Sequence, residues 1–331
     1  VGGAQLFKTE MTGPMKDARL TPRIAETARG LWTVYFVGCA ACFFAYRWAG
    51  MSWDDAFMHM CSTMGLGGFS SHDASFGYWN SPRIEAVAMV FMMISGVSFA
   101  LYFVAWRQRS LRVLWANVEV RAFYGVVLAT IALISLYLTV NQVYPSFEQS
   151  LRVTAFHVVS IATTTGYATY DYGKWPLFAP LLMILLGCFA TCAGSTGGGI
   201  KMMRMILLLK QSYRELVRIV HPNVVNPVVV GGAVVNPRVI HSVIAYMMVY
   251  GASLVALTML MLFSGLDVVT AFTAVIACVN NIGPGLGDVG PSVNYGVLSD
   301  FQTWVCTFGM LLGRLELLAV LVLFTPQFWR G

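Results

Sequence analysis

Only 11% of the 331 residues carry charge, and acids are the scarcer sign, 15 against 21 Lys and Arg. So little charge excludes an ordinary soluble domain, because apolar residues reach 57% and mean hydropathy is +0.69, far from the soluble average. The chain has no Gly-x-Ser-x-Gly and no nucleotide fingerprint, which removes the common hydrolase and dinucleotide readings. The five histidines, His59, His72, His157, His221 and His241, lack metal spacing such as His-Glu-x-x-His and read as loop or helix-packing residues. The seven cysteines lie in or beside apolar runs. Cys39 and Cys42 form a Cys-x-x-Cys on a lipid-depth helix, where it reads as small-residue packing, so neither a disulfide framework nor zinc is expected. Basic residues are not clustered with exposed aromatics, which argues against nucleic acid. The start, Val1-Gly2-Gly3, has neither a signal-peptide layout nor an initiator Met, and an incomplete N-terminus is expected.

What is present belongs in lipid. Apolar runs at residues 31–48, 84–106, 122–140, 176–193, 239–263 and 301–325 are read as membrane spans, on the rule that roughly 20 residues cross about 30 Å of hydrocarbon. The fold class is therefore all-α, a polytopic membrane protein with the bilayer as its first partner. Sorting Lys and Arg by segment puts most on one side: Lys8, Lys16, Arg19, Arg23, Arg29; Arg107, Arg109, Arg112, Arg121; Lys201, Arg204, Lys210, Arg214, Arg218, Arg238; and Arg330. Arg47, Arg83, Arg152 and Lys174 fall opposite, with Arg314 inside a span. Cytoplasmic loops carry the Lys/Arg excess, so the first group faces the cytoplasm. The outer side is acidic, with Asp54, Asp55, Asp73, Glu85, Glu148, Asp171, Asp267, Asp288 and Asp300. Such a mouth attracts cations.

The same order of parts recurs three times: a span, a short apolar segment opened by an acid, a Gly/Thr cluster, a polar stretch and a second span. The short segments follow Asp54-Asp55, Glu148 and Asp267, and end at Gly65-Leu66-Gly67-Gly68-Phe69, Thr163-Thr164-Thr165-Gly166-Tyr167 and Asn280-Asn281-Ile282-Gly283-Pro284-Gly285. At roughly 10–15 residues they are too short to cross a bilayer and read as re-entrant. Irregular backbone at membrane depth is tolerated where it is buried in protein or lines a water-filled path. A dehydrating cation needs oxygen ligands, which a ring of backbone carbonyls supplies, and turning successive carbonyls to one axis needs Gly. Gly68, Gly166 and Gly283 occupy equivalent places. Each preceding helix would aim its negative C-terminal end at the ion.

Residues 193–201 interrupt an otherwise continuous helix, since Gly194, Gly197, Gly198 and Gly199 remove roughly 3–4 kcal/mol of helix propensity relative to Ala. The result is either a flexible loop within the pore or a kink that merely packs. A phosphate loop is excluded, because no strand precedes the glycines and no Gly-Lys-Ser/Thr triplet follows. Arg314 falls deep in the last span, where a charge costs at least about 2.5 kcal/mol. Its partner is either the carbonyls of the 194–199 loop or an acid such as Glu316.

Five stretches in order are similar to the Trk/Ktr/HKT potassium transporter superfamily, most closely its bacterial Trk branch: Gly67-Gly68-Phe69-Ser70-Ser71-His72-Asp73-Ala74-Ser75; Thr163 to Tyr167; Ala193-Gly194-Ser195-Thr196-Gly197-Gly198-Gly199-Ile200-Lys201; Asn280 to Gly287; and Gly313-Arg314-Leu315-Glu316 followed by Leu323-Phe324-Thr325-Pro326. The resemblance covers essentially the whole chain. It implies K+ uptake across the cell inner membrane by a four-repeat pore, with no enzymatic step and no covalently bound cofactor. It implies K+ ligands at Leu66, Gly67 and Gly68; Thr164, Thr165 and Gly166; Asn281, Ile282 and Gly283. Gly194, Gly197, Gly198, Gly199 and Arg314 would form the gate below them. It further implies a homodimer and a cytosolic, TrkA-like nucleotide-binding ring, with the regulatory nucleotide on that partner. On this reading the first of four repeats is absent. Residues 1–29 are a cytoplasmic link, and 30–110, 111–221 and 222–331 are the second to fourth repeats. The segment 201–218 is either a docking surface for the regulator or a positive-inside anchor. The rivals are a secondary transporter coupled to H+ or Na+, and a membrane-embedded enzyme.

Overall fold

The computed structural model describes residues 24–329 apart from Glu316. Lys8, Lys16, Arg19, Arg23, Glu316 and Arg330 lie outside the described residues, as does most of the 1–29 link. Three helices are long and apolar enough to span a membrane alone: α1 (Ile24–Ala49), α6 (Val118–Val140) and α10 (Pro237–Phe263). Between them run α2 (Trp53–Gly65), α3 (Pro82–Ser95), α4 (Phe99–Arg107), α5 (Arg112–Ala116), α7 (Phe147–Ala162), α8 (Phe178–Gly187) and α9 (Met202–Val220). The chain continues through α11 (Val268–Val279), α12 (Asp300–Arg314), α13 (Leu317–Leu321) and α14 (Pro326–Trp329).

The caps explain the starts. Asn117 opens α6 by accepting the Glu119 and Val120 amides at 2.8 and 3.3 Å. Asn236 caps α10, with Pro237 in the first turn, where its missing N–H costs nothing. Ser299 and Gln302 form a capping box on α12.

The other three expected spans are broken. Residues 84–106 divide into α3 and α4, bent by 86° at Gly96 to Ser98. A Cβ at Gly96 would come within 2.9 Å of the Phe123 ring, so the bend sits against α6. Residues 176–193 are helical only over α8, and the chain then runs irregularly to α9. Residues 301–325 bend by 114° between α12 and the segment Leu317–Phe324. Arg314 is thus the last residue of α12 and not the interior of a continuous span.

Each short helix packs within its own unit, α2 on α1, α7 on α6, and α11 on α10 and α12. Unit joins unit through polar groups. Tyr46 and Thr63 share a hydrogen bond of 2.7 Å, and the Thr63 hydroxyl lies 3.2 Å from that of Tyr167. Arg152 on α7 grips Glu85 on α3 with two bonds, Nε to Oε2 at 2.8 Å and Nη2 to Oε1 at 2.6 Å. Glu85 is 3% exposed, so its carboxylate is spent on Arg152 and not on solvent. One further element was not legible as a strand pair: Val229–Val230 and Ala233–Val234 form a two-residue hairpin, with Gly231 and Gly232 both at positive φ.

Candidate ion filter and intramembrane loop

The three Gly/Thr clusters adopt one conformation. Each re-entrant helix opens on a side-chain cap: Ser52 accepts the Asp55 amide, Ser146 that of Gln149, and Asp267 that of Thr270. The bonds from Thr270 hold the Asp267 carboxyl below the usual carboxylate range. Each helix ends in the same turn, in which Gly67, Thr165 and Ile282 donate to Ser62, Ser160 and Ala277, all at 2.8 Å. Leu66, Thr164 and Asn281 then take φ of 51°, 60° and 54°, and two residues later Gly68, Gly166 and Gly283 take 72°, 90° and 104°. Two left-handed residues flanking one ordinary residue turn successive carbonyls the same way.

Glycine is also required by crowding. A Cβ on Gly68 would stand 2.0 Å from the Thr165 carbonyl oxygen, and one on Gly166 would stand 2.2 Å from that of Ile282. The strands therefore lie side by side in the order of the units. All nine residues from these strands line one cavity of about 820 Å³, together with Gly198 and Arg314. Among the described residues, none donates a hydrogen bond to the carbonyl oxygens of Leu66, Gly67, Thr164, Thr165, Asn281 or Ile282. Backbone carbonyls buried in protein rarely go without a partner.

Behind the filter, buried side chains pin the outer limbs. His59 bonds the Asp55 carbonyl at 2.8 Å and the Ser70 hydroxyl at 2.9 Å. His157 bonds the Val153 carbonyl at 2.8 Å, and its Nε2 accepts the Thr169 amide at 3.2 Å. In the third unit the Thr273 hydroxyl takes the role, accepting the Leu286 amide at 2.9 Å. Sequence reasoning classed these histidines as packing residues. The available signal was that His59 and His157 precede Gly68 and Gly166 by the same distance.

The Gly-rich segment is an irregular loop whose Gly198 lines the same cavity. Gly194 and Gly199 have φ of 76° and 79°, and Lys201 shares the left-handed region at 77°. The Gly198 amide donates to the Thr164 hydroxyl at 2.8 Å, which joins the loop to the second strand. The Thr196 hydroxyl donates to the Met64 carbonyl at 3.1 Å. Arg314 Nη1 donates to the Thr196 carbonyl at 3.2 Å, so the guanidinium meets the loop, and Lys201 donates its ammonium to the Gly197 carbonyl. Gly197 faces the Thr191 side chain, and Gly198 lies where a Cβ would be 2.1 Å from the Asn280 carbonyl.

The family model TrkH, described as a cation transport protein, matches residues 1–330. The chain belongs to the TrkH family. The Trk system potassium uptake protein TrkH of Salmonella typhimurium is 42% identical over 330 residues, spanning 100% of this chain and 68% of that protein. The protein of the same name from Halomonas elongata is 43% identical over the same shares. The crystal structure of the potassium transporter TrkH from Vibrio parahaemolyticus aligns with a TM-score of 0.90 at 38% identity, covering 99% of this chain and 70% of that one. This TrkH-family chain is accordingly a multi-pass membrane transport protein and not an enzyme. The basic segment after the loop is less uniform than its sequence implied. Lys201 turns back to the loop, and Arg204 is 5% exposed with its guanidinium 4.0 Å over the Tyr246 ring. Lys210 and Arg218 are exposed on α9, whereas the Arg214 side chain is 15% exposed, with Glu215 bonded between the two arginines.

Proposed function

We propose that this chain carries K+ inward across the cell inner membrane. Carbonyls of residues 66–68, 164–166 and 281–283 replace the hydration shell, and the 194–199 loop with Arg314 forms the gate beneath them. The observation that carries this reading is the threefold recurrence of one backbone conformation around one cavity, with six carbonyls left without donors. Potassium as cargo draws on the names of the relatives. A backbone filter stabilises a bare monovalent ion without side-chain charge, and the C-terminal ends of α2, α7 and α11 add negative potential toward it.

The unit boundaries 30–110, 111–221 and 222–331 follow from that recurrence, each holding one re-entrant helix and one filter strand. The full transporter acts as a homodimer beneath which a TrkA-like ring binds its regulatory nucleotide. Lys210, Arg214 and Arg218 are the docking charges on the cytoplasmic side.

The deciding experiment is growth of a bacterium deficient in potassium uptake at micromolar K+, with the full-length gene and with Gly166→Ser. Rescue is expected from the wild type alone. Equal rescue by both would remove the filter assignment.

A further inference from the structure

Glu119 is an acid that neither the filter nor Arg314 uses, and it is 3% exposed. It stands in the first turn of α6, where the helix N-terminus favours a carboxylate. A single oxygen, Oε1, accepts two backbone amides from one distant segment: Ala193 at 2.8 Å and Met203 at 3.0 Å. Those amides lie on either side of the Gly-rich loop, one just before Gly194 and the other in the first turn of α9. Losing this acceptor leaves two buried backbone donors unpaired.

We propose that Glu119 is the positioning residue of the loop, a clasp that ties both of its feet to α6 so that only the part from Gly194 to Gly199 can move. This rests on reading the loop as the gate. Neighbouring bonds fit that division. The Cys192 amide donates to the Gly96 carbonyl at 3.0 Å and the Met202 amide to Thr191 at 2.8 Å, so the feet are tied repeatedly. The span from Gly194 to Gly199 is held by bonds to Phe99, Met64, Thr164 and Arg314 and by its own feet, through the Thr191 hydroxyl on the Gly198 carbonyl, Lys201 on the Gly197 carbonyl and the Ser195 hydroxyl on the Cys192 carbonyl.

The test uses K+ flux through the full-length protein in proteoliposomes, with variants matched for folded protein. Glu119→Gln keeps an acceptor oxygen in place and is expected to stay within about twofold of wild type. Glu119→Leu removes it and should raise resting flux at least fivefold. In the double variant with Arg314→Ala, the two effects should fall well short of multiplying, because both act through loop position. If Glu119→Leu does not accumulate, Glu119→Asp, which withdraws the oxygen by one methylene, carries the same expectation. Wild-type flux from the acceptor-deficient variant, or effects that multiply, would overturn the clasp. Deleting 195–198 separates the two ideas. Altered flux on deletion with a silent Glu119 variant sinks the clasp alone, whereas unchanged flux on deletion sinks the gate reading itself.

Discussion

Arg314 Nη1 donates to the Thr196 carbonyl across 3.2 Å, joining the last residue of α12 to the middle of the Gly-rich loop. A charge-assisted bond of this kind contributes roughly 1.5–3 kcal/mol, which is on the order of tenfold or more in a two-state equilibrium. Arg314→Gln should therefore raise resting K+ leak by about tenfold in proteoliposomes. Lys at this place keeps the charge and loses the planar fork, so Arg314→Lys should fall between the two. Leak equal to wild type at equal membrane abundance would rule out the barrier.

Crowding at the filter gives a sharper contrast. Gly68→Ala and Gly166→Ala each force a Cβ to within 2.2 Å or less of a neighbouring carbonyl oxygen, and they do so at positive φ. Both should abolish selective uptake, read as K+ over Na+ permeability. Gly125 in α6 has open space around its added Cβ. Gly125→Ala should leave uptake intact and stabilise the protein slightly, since Ala exceeds Gly in helix propensity by about 1 kcal/mol.

What the sequence announced and what it concealed divide along a physical line. Gly68 and Gly166 were legible because a left-handed, crowded backbone position admits little else, and Gly283, with open space around its added Cβ, through its left-handed φ of 104° alone. Their companions Leu66, Thr164 and Asn281 take equally left-handed φ and carry three unrelated side chains, so no residue type advertised them. The long uninterrupted spans α1, α6 and α10 followed from hydropathy. Hydropathy could not reveal the breaks at 96–98 and after Arg314, because both halves of a bent span remain apolar. Glu119 was invisible for a different reason: its partners are backbone amides, which have no signature in sequence.

The Thr164 hydroxyl accepts the Gly198 amide at 2.8 Å, so the loop and the filter share a bond. Thr164→Val keeps the shape and leaves the amide without its acceptor, at a cost of about 1–3 kcal/mol. The loop's resting position should weaken, and resting flux should rise several-fold. Thr164→Ser restores the acceptor and should restore the wild-type level. A Val variant indistinguishable from Ser in flux would mean that the filter does not sense the loop through this bond.

Stability has its own marker in the Arg152–Glu85 pair, which holds α7 against α3 and lines no part of the cavity. Glu85 is nearly fully buried and Arg152 about one-third exposed. Removing the arginine alone leaves a buried carboxylate without its counter-ion, which costs on the order of 3 kcal/mol, whereas removing both leaves only the loss of packing. Arg152→Ala should lower the thermal midpoint in detergent by several degrees, and adding Glu85→Ala should recover part of it. Ion selectivity should not change in either variant. A double variant less stable than Arg152→Ala would show that Glu85 is held by more than its charge partner. The Asn80 side-chain oxygen, which accepts a third bond from Arg152 at 3.2 Å, adds to what both variants lose.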